Sequence, residues 1–219
     1  MEWIWKSTLI LAGAGLVNTL LRRHSAALRH HVWVVAFALL AVVPFLQRIA
    51  PVRITAFTFA AASPAGLSGA QSASVGWLPL LWAAGAALLL IRLAWAHWQA
   101  AWLVAASSPV LCGLLRPRIV WPEEAGGWDP HWRAAVELHE SAHIARHDLW
   151  AQLLMEIVAA CYWWQPLAWW ARHKALEERE RACDDRVLDQ AVPAEYAAAL
   201  VAIARGASAV SPATRAMAT

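Results

Sequence analysis

Two histidines, His139 and His143, stand in the sequence His-Glu-Ser-Ala-His, with Glu140 directly after the first of them. On an α-helix, side chains at this spacing project from one face and can share a single metal ion. A carboxylate beside the first histidine can then reach a water molecule on that ion and act as a general base. The pattern predicts a catalytic zinc site, and the alternative is two surface histidines on an ordinary helix.

The face of the helix on which these histidines lie favours the metal site. Successive helical residues turn by about 100°, which places both histidines on one side together with Trp132 and Val136. This side should face the interior, where two unpaired imidazoles are costly unless something binds them. We therefore expect a single Zn²⁺ ion per chain, held by the two histidines and a third protein ligand, with one position open.

A charged segment further along the chain is expected to supply the third ligand. Glu180 falls within an apolar face that includes Cys183. Glu177 and Glu178 turn away from that face and should be solvated salt-bridge partners of Arg181 and Lys174. A carboxylate on an apolar face requires a cation, so Glu180 is the favoured ligand. Cys183 is a rival ligand, although a small buried thiol is the simpler interpretation. Asp184 can accept a hydrogen bond from the distal nitrogen of a zinc-bound histidine and so fix its orientation.

The composition indicates that much of the chain lies in a membrane. Hydrophobic residues make up 60% of the chain, charged residues only 15%, and the mean hydropathy is +0.45. The 16 tryptophans suit a bilayer interface, where one end of the side chain is apolar and the other is wet. The net charge of +3 is spread along the chain, so we expect no direct contact with nucleic acid. The three cysteines have unrelated spacings and indicate a reducing compartment.

Three apolar runs are candidates for membrane spans, each of which needs roughly 20 residues. They cover about 4–21, 32–46 and 75–95, and the second of them is short. The stretch between the second and third runs, about 50–74, is rich in Ala, Ser, Gly and Pro and is predicted to be a loop with little regular structure.

Charge placement predicts how the chain is oriented. Arg22, Arg23 and Arg29 lie on one side of the three spans, and everything after the third span lies on that same side. Basic residues are enriched in cytoplasmic loops, so we expect the C-terminal half to be cytoplasmic. The chain would then divide into a membrane domain over 1–100 and a catalytic domain over 101–219.

The catalytic half is predicted to be mainly α-helical with a small amount of β-structure. Two β-prone runs within about 108–122 predict a small hairpin or an edge strand. Asp129 as N-cap and Pro130 at the first helical position begin a helix that should run to about Arg146.

The apolar segment at about 149–170 is constrained by the metal site. It is long enough to span a bilayer, yet it lies between His143 and Glu180, which must share one ion. A single crossing would place these two ligands on opposite sides, so the segment should return as a membrane-associated helical hairpin or an interfacial segment. A charged helix is expected at about 172–190, and an alanine-rich helix after Pro193.

Four short motifs occur in order between Ser108 and Leu188. They are Ser-Pro-Val-x-x-Gly-x-x-Arg-Pro-x-Ile, His-Glu-x-x-His-Ile-x-Arg-x-Asp, Trp-x-x-Pro-Leu-x-Trp-Trp and Glu-x-x-Cys-Asp-x-x-Val-Leu. This arrangement resembles the BlaR/MecR-type integral-membrane metallopeptidases, the family of the bacterial β-lactam sensor-transducers. The three upstream spans fit the layout of that family.

The resemblance carries residue roles with it. It implies that His139, His143 and Glu180 are the zinc ligands, Glu140 the catalytic base and Asp184 a supporting residue. It implies a gluzincin-type endopeptidase fold, a multi-pass location in the bacterial inner membrane and a role in signal transduction. The substrate implied is a cytoplasmic helix-turn-helix repressor, with self-cleavage as an activating event.

The sequence leaves alternatives open for binding partners, for the oxyanion stabiliser and for the way the substrate is held. The membrane spans imply lipid contacts, and a homodimer is compatible with the sequence. The residue that would stabilise a tetrahedral oxyanion is one of three candidates, Tyr162, Tyr196 or His173. The stretch from Val110 to Val120 could hold an extended substrate at a strand edge.

The sequence departs from the family pattern at two points, and each changes what we expect of this chain. The β-lactam sensors carry a penicillin-binding domain with a Ser-x-x-Lys nucleophile, and neither this motif nor a fourth span leading to such a domain is present up to Thr219. We therefore expect either a fragment or a short family member with another input. His147 stands where the family commonly has Arg, and it is either a spare ligand or, as we expect, a surface or interfacial residue.

Two rival functions come from other classes. One is a catalytically silent membrane signalling scaffold that zinc staples together, and Glu140 argues against it because a structural site does not need a base. The other is a transporter or channel, which would need more polar residues within the spans than Asn18 and Arg92.

Overall fold

The computed structural model describes residues 2–49, 76–103 and 106–208, and within these ranges the chain forms seven α-helices and one two-stranded sheet. Three helices are long and apolar enough to cross a membrane: α1 (Glu2–Leu20), α2 (Ala26–Ile49) and α3 (Trp77–Ala101). They coincide with the three predicted runs. The predicted loop at about 50–74 lies outside the described residues.

The second helix is longer than its apolar run. It begins at Ala26 because the Ser25 hydroxyl accepts a hydrogen bond from the backbone N–H of Leu28, which satisfies a group that a helix leaves free at its start. It then continues through Pro44 to Ile49. A proline inside an apolar helix removes one backbone hydrogen bond but need not end the helix.

The predicted hairpin is present as two antiparallel strands, β1 (Val110–Cys112) and β2 (Arg118–Val120). Gly113 begins the connecting turn with a φ of +91°, a conformation that other residues rarely adopt. A Cβ atom at this position would also lie 2.5 Å from the backbone oxygen of Arg116. The turn therefore requires glycine for both its backbone angle and its close approach.

The helix that carries the two histidines is α4 (Pro130–Ala145). The carboxylate of Asp129 caps it by accepting a hydrogen bond from the backbone N–H of His131 at 2.8 Å. Both the predicted cap and the predicted length are confirmed. A tight turn then leads into α5 (Asp148–Cys161), and His147 in this turn has a φ of 57°, the left-handed conformation.

The remaining helices are α6 (Pro166–Leu188) and α7 (Pro193–Ser208). The prediction of a separate charged helix starting near residue 172 was wrong, because α6 runs without a break from its apolar start into its charged end. No proline or glycine interrupts it. The change in composition therefore marks a change of surroundings along one helix and not a helix end.

The segment at 149–170 returns on itself as a hairpin made of α5 and the first part of α6. At its tip, Gln165 donates hydrogen bonds to Ser7 (3.3 Å) and Thr8 (3.0 Å) of α1, and Trp163 donates one to the Trp82 carbonyl of α3 (3.2 Å). The tip therefore lies near the N-terminal end of α1, opposite to the end at which α1 and α2 are joined.

This hairpin packs among the long helices along most of their length. One buried cluster is shared by α1, α2, α5 and α6, and it contains Leu11, Ala14, Trp33, Ala36, Phe37, Leu40, Met155, Val158, Ala159, Tyr162, Ala168, Ala171 and Ala175. Alanines on α6 let its backbone approach the large side chains of α2 closely. This cluster packs α5 and the first half of α6 against α1 and α2.

Candidate metal centre

Three ligand groups from two helices converge at one point. His139 and His143 lie one turn apart on α4, with ring centroids 5.0 Å apart, and Glu180 comes from α6. The Glu180 Oε2 atom lies 3.5 Å from Nε2 of His139 and 3.7 Å from Nε2 of His143. The structure thus brings together the three residues that the sequence singles out.

The separation of these atoms fits a zinc ion. Ligand atoms about 2.0–2.2 Å from a tetrahedral zinc ion lie about 3.3–3.6 Å from one another. The two nitrogen-to-oxygen distances are close to this range, and the donor set of two imidazoles and one carboxylate is one that zinc accepts. Three protein ligands would leave a zinc ion one open position, and solvent reaches the group because the Glu180 side chain is 46% exposed.

Asp184 and Tyr196 hold the distal nitrogen of His139. The Asp184 Oδ1 atom lies 3.1 Å from His139 Nδ1, and the Tyr196 hydroxyl donates a hydrogen bond to the same carboxylate oxygen at 2.7 Å. Tyr196 comes from α7, which packs against α4 and α6 through Ala135 and Val187. A carboxylate in this position fixes the orientation of the ring and leaves Nε2 free for a metal.

Asp148 holds the distal nitrogen of His143 in the same way. It is the first residue of α5 and is 2% exposed, and its Oδ2 accepts a hydrogen bond from His143 Nδ1 at 2.8 Å. The left-handed turn at His147 brings Asp148 beneath His143, and His147 itself is exposed. The sequence motif contains Asp148, but sequence reasoning assigned it no role.

Arg179 holds the second oxygen of Glu180. Its guanidinium donates to Glu180 Oε1 at 2.6 and 2.9 Å, and it also bonds to the Gln152 side chain of α5. Gln152 in turn donates to Glu156 at 2.8 Å. This polar network reaches from the candidate ligand along α5, and sequence reasoning missed Arg179 because its partner Gln152 comes from another helix.

The expected environment of the glutamates on α6 requires a correction. Glu180 faces a cleft and is nearly half-exposed, whereas Glu178, expected to be solvated, is 8% exposed. Glu178 is buried because Arg29 of α2 pairs with it at 2.7 Å, a contact that no local pattern in the sequence indicates. Glu177 pairs with Lys174 at 2.9 Å and does not join the convergent group.

Ion pairing and hydrogen bonding shift the pKa values of the convergent groups. Burial lowers the pKa of His139, but hydrogen bonds to Asp184 and Glu180 outweigh it and raise the pKa to about 9. Burial likewise lowers the pKa of His143, and its bond to Asp148 helps to raise it to about 11. The pKa of Glu180 is held below its ordinary value because its contacts with the two histidines outweigh burial. A metal ion would replace these protons.

A cleft of about 770 Å³ opens onto the convergent group. Glu140 lines it beside the two histidines, and burial raises the pKa of the Glu140 carboxyl above its ordinary value. The β1 strand lines a second side, and the part of α3 from Leu89 to Ala100, which includes Arg92, lines a third. Glu140 therefore faces the same space as the three convergent ligand groups.

A second group of potential ligands lies on the other side of His143. Cys183 Sγ is 3.3 Å from His143 Nδ1 and 3.8 Å from Asp148 Oδ2, and all three residues are buried. Cys183 is fully buried and is not among the residues that line the cleft. Because Cys183 is closed off from the cleft, this group fits support of His143 better than catalysis.

The three candidates for an oxyanion stabiliser lie in different places. Tyr162 is buried among the long helices and donates its hydroxyl to the Leu40 carbonyl at 3.1 Å. His173 is 70% exposed and pairs with Glu177. Tyr196 lies behind His139. The structure therefore brings neither Tyr162 nor His173 to the cleft, and it gives the Tyr196 hydroxyl another partner.

Comparison with known proteins identifies the family of the chain. The family model described as BlaR1 peptidase M56 matches residues 103–219, more than half of the chain, and the chain belongs to this family. The chain is also 32% identical over 81 residues to the regulatory protein BlaR1 of Bacillus licheniformis. That alignment covers 37% of this chain and 14% of the relative, so the chain spans a small part of that protein. No solved structure matches the chain.

Proposed function

We propose that this protein is a membrane-bound zinc-dependent endopeptidase, with zinc held by His139, His143 and Glu180. One observation carries the proposal: the Nε2 atoms of both histidines and the Oε2 atom of Glu180 converge at a cleft that Glu140 also lines. Membership of a peptidase family supports the reaction class. The three long apolar helices support the membrane location.

Different residues of the chain would have different roles in hydrolysis. A bound zinc ion would supply Lewis-acid polarisation of the scissile carbonyl. Glu140 would accept a proton from the attacking water and deliver it to the leaving amine, a task for which its raised pKa suits it. Asp184 and Asp148 would hold the two imidazoles in the tautomer that presents Nε2 to the ion.

The β1 strand offers a way to hold the substrate. It pairs with β2 along one edge, no strand among the described residues pairs with its other edge, and its residues line the cleft beside Glu140. An extended peptide that adds to the other edge of β1 would lie across the convergent group, as in strand-addition sites. This favours cleavage within unfolded or loop segments of a protein, consistent with an endopeptidase.

The physiological setting of this activity is part of the same proposal. The family resemblance favours a role in signal transduction, with a cytoplasmic repressor as substrate and self-cleavage as a second event. A cytoplasmic location of the catalytic half can be tested with reporter fusions. Fusions after Arg29 and after Trp121 should both report the cytoplasm, and a fusion at Ser68 should report the outside. Different locations for the first two would reject the three-span topology.

The activity itself is tested on purified full-length protein in detergent with a library of unstructured peptides. Cleavage should stop after a zinc chelator is added and return when zinc is restored. Cleavage that is indifferent to chelation would reject the zinc mechanism. Bound zinc without cleavage of any peptide, or of the protein itself, would favour the rival function of a zinc-stapled signalling scaffold.

A further inference from the structure

The first two turns of α5 reach the surroundings of the metal ligands on both neighbouring helices. Asp148 begins α5 and accepts a hydrogen bond from the proposed ligand His143 of α4. Gln152 lies one turn further on the same face of α5, and its side-chain oxygen accepts a hydrogen bond from Nη1 of Arg179 on α6. Both Asp148 and Gln152 line the cleft at the convergent group.

Hydrogen bonds continue without a gap from Gln152 through Arg179 to Glu180. Nε and Nη2 of Arg179 donate to Oε1 of Glu180 at 2.9 and 2.6 Å. Both donors meet the same carboxylate oxygen, so Oε2 is left to face Nε2 of His139 and of His143. Two charge-assisted hydrogen bonds from one planar guanidinium fix a carboxylate in direction as well as in distance.

The amide of Gln152 is held at both of its ends. A guanidinium can only donate and an ionised carboxylate can only accept, so the amide must turn its oxygen to Arg179 and its nitrogen to Glu156. The structure has this orientation, and Gln152 Nε2 donates to Oε1 of Glu156 at 2.8 Å. The same Glu156 oxygen accepts a hydrogen bond from Arg172 of α6 at 2.9 Å. Gln152 is therefore fixed in the orientation that Arg179 requires.

We propose that Gln152 is a positioning residue for the metal ligand Glu180 and acts through Arg179. The proposal rests on the zinc site proposed above. The Arg179 side chain has several rotatable bonds and is 18% exposed, so a guanidinium that lacked the Gln152 contact would turn toward water more freely. The bond from Nη1 to Gln152 leaves Nε and Nη2 directed at Glu180.

The first two turns of α5 then position two of the three proposed ligands. Asp148 orients His143 directly, and Gln152 orients Glu180 through Arg179. The two ligands belong to different helices, α4 and α6, whereas their supports lie one turn apart on a single helix. The spacing between the two ligands is therefore tied to the helical repeat of α5.

The test uses full-length protein in detergent and measures zinc affinity by competition with a chelator. The visible absorption spectrum of the cobalt-substituted protein is recorded beside it, because that spectrum reports the geometry of the ligands. Gln152→Leu removes both hydrogen bonds of the amide. It should weaken zinc binding about tenfold, the lower end of the loss typical of residues behind a ligand, and should alter the cobalt spectrum.

The matched control is Gln165→Leu, the same change at the far end of the α5–α6 hairpin. It removes amide hydrogen bonds to Ser7 and Thr8 of α1. Zinc affinity and the cobalt spectrum should stay as in the wild type, whatever the change in melting temperature. Should Gln165→Leu fail to fold, Thr8→Val removes one of these bonds from its exposed partner and serves as the control. Gln152→Ala replaces Gln152→Leu in the same case.

A double variant separates action through Arg179 from an independent effect. Arg179→Met should cost about 10–100-fold in zinc affinity. The double variant Gln152→Leu/Arg179→Met should be no weaker than Arg179→Met alone. Arg181→Met controls for the lost charge, because Arg181 lies nearby on α6 and pairs with Glu178 and not with Glu180. That variant should bind zinc as the wild type does.

Three results would overturn the inference. They are an unchanged zinc affinity and cobalt spectrum in Gln152→Leu, additive losses in the double variant, and equal losses in Arg179→Met and Arg181→Met, which would assign the effect to charge alone. A wild-type protein that binds no zinc would reject the proposed metal site together with the inference. A wild type that binds zinc beside a Gln152→Leu variant that binds it equally well would reject the inference alone.

Discussion

Glu180 and His139 belong to different helices, yet Oε2 of Glu180 lies 3.5 Å from Nε2 of His139. The same oxygen is 3.7 Å from Nε2 of His143, so one carboxylate oxygen faces both imidazoles. Arg179 occupies the other oxygen and keeps Glu180 in this position. The relationship depends on the α5–α6 hairpin, which returns the chain to the side on which α4 lies.

The choice of third ligand can be tested by substitution on α6. Glu180→Ala should greatly lower zinc affinity and abolish peptide cleavage, because it removes one of three protein ligands. Glu177→Ala is the matched control on the same helix and should do neither, since Glu177 pairs with Lys174 and not with the histidines. Zinc affinity is read by chelator competition. Retention of zinc by Glu180→Ala, with loss in Cys183→Ala, would reassign the ligand to the cysteine.

Substitution of Asp184 should reduce zinc affinity less than substitution of a ligand and more than substitution of a surface carboxylate. Asp184→Ala removes the acceptor from His139 Nδ1, and such losses typically reduce metal affinity or activity about 10–100-fold. Tyr196→Phe, which removes only the hydroxyl bond to Asp184, should have a smaller effect in the same direction. Equal effects of Asp184→Ala and Glu180→Ala on zinc content would show that Asp184 is itself a ligand.

Zinc affinity should rise with pH across the neutral range. Their carboxylate partners raise the pKa of His139 to about 9 and that of His143 to about 11, so protons on both imidazoles would compete with zinc. Raising the pH weakens this competition, and lowering it strengthens it. The measurement compares the zinc dissociation constant at about pH 6 and about pH 8. An affinity that is independent of pH would contradict the proton-holding role assigned to the two histidines.

The hairpin can pack closely against α3 because Gly85, a glycine, has no side chain. A Cβ atom there would lie 2.5 Å from the Trp163 ring, which is held by its bond to the Trp82 carbonyl. Gly85→Ala should therefore destabilise the protein by about 1–3 kcal/mol, the usual cost of overpacking. Gly13→Ala in α1 is the control, because nothing lies within 4 Å of its Cβ position. Thermal unfolding in detergent should separate the two variants, and equal melting temperatures would contradict the close approach.

Local patterns in the sequence predict the helices well. Features that depend on contacts between residues far apart in the sequence are not predicted. Apolar runs indicate α1, α2 and α3, and Asp129 with Pro130 fixes the start of α4, because these signals lie within a few neighbouring residues. The returning segment could be deduced because His143 and Glu180 must lie on one side. The burial of Glu178 could not, since its partner Arg29 is distant in sequence.

In the candidate site, too, local patterns predict some residue roles, and contacts between distant residues decide the others. The spacing of His139 and His143 indicates shared ligation because it depends only on the helical repeat. The role of Asp148 was missed because it depends on a left-handed turn at His147, a conformation that a histidine seldom adopts. The bond between Arg179 and Gln152 was missed because those residues meet only when α5 and α6 pack together.

Zinc content and peptide cleavage, measured side by side for wild type and Glu140→Gln, test the proposed mechanism most directly. Glu137→Gln, the same change at an exposed position of α4, is the control. Wild type and both variants should hold about one zinc ion per chain, because Glu140 is a base and not a ligand. Cleavage should fall about 10²–10⁴-fold in Glu140→Gln alone. Loss of zinc from Glu140→Gln, or cleavage by it at the wild-type rate, would contradict the role assigned to Glu140.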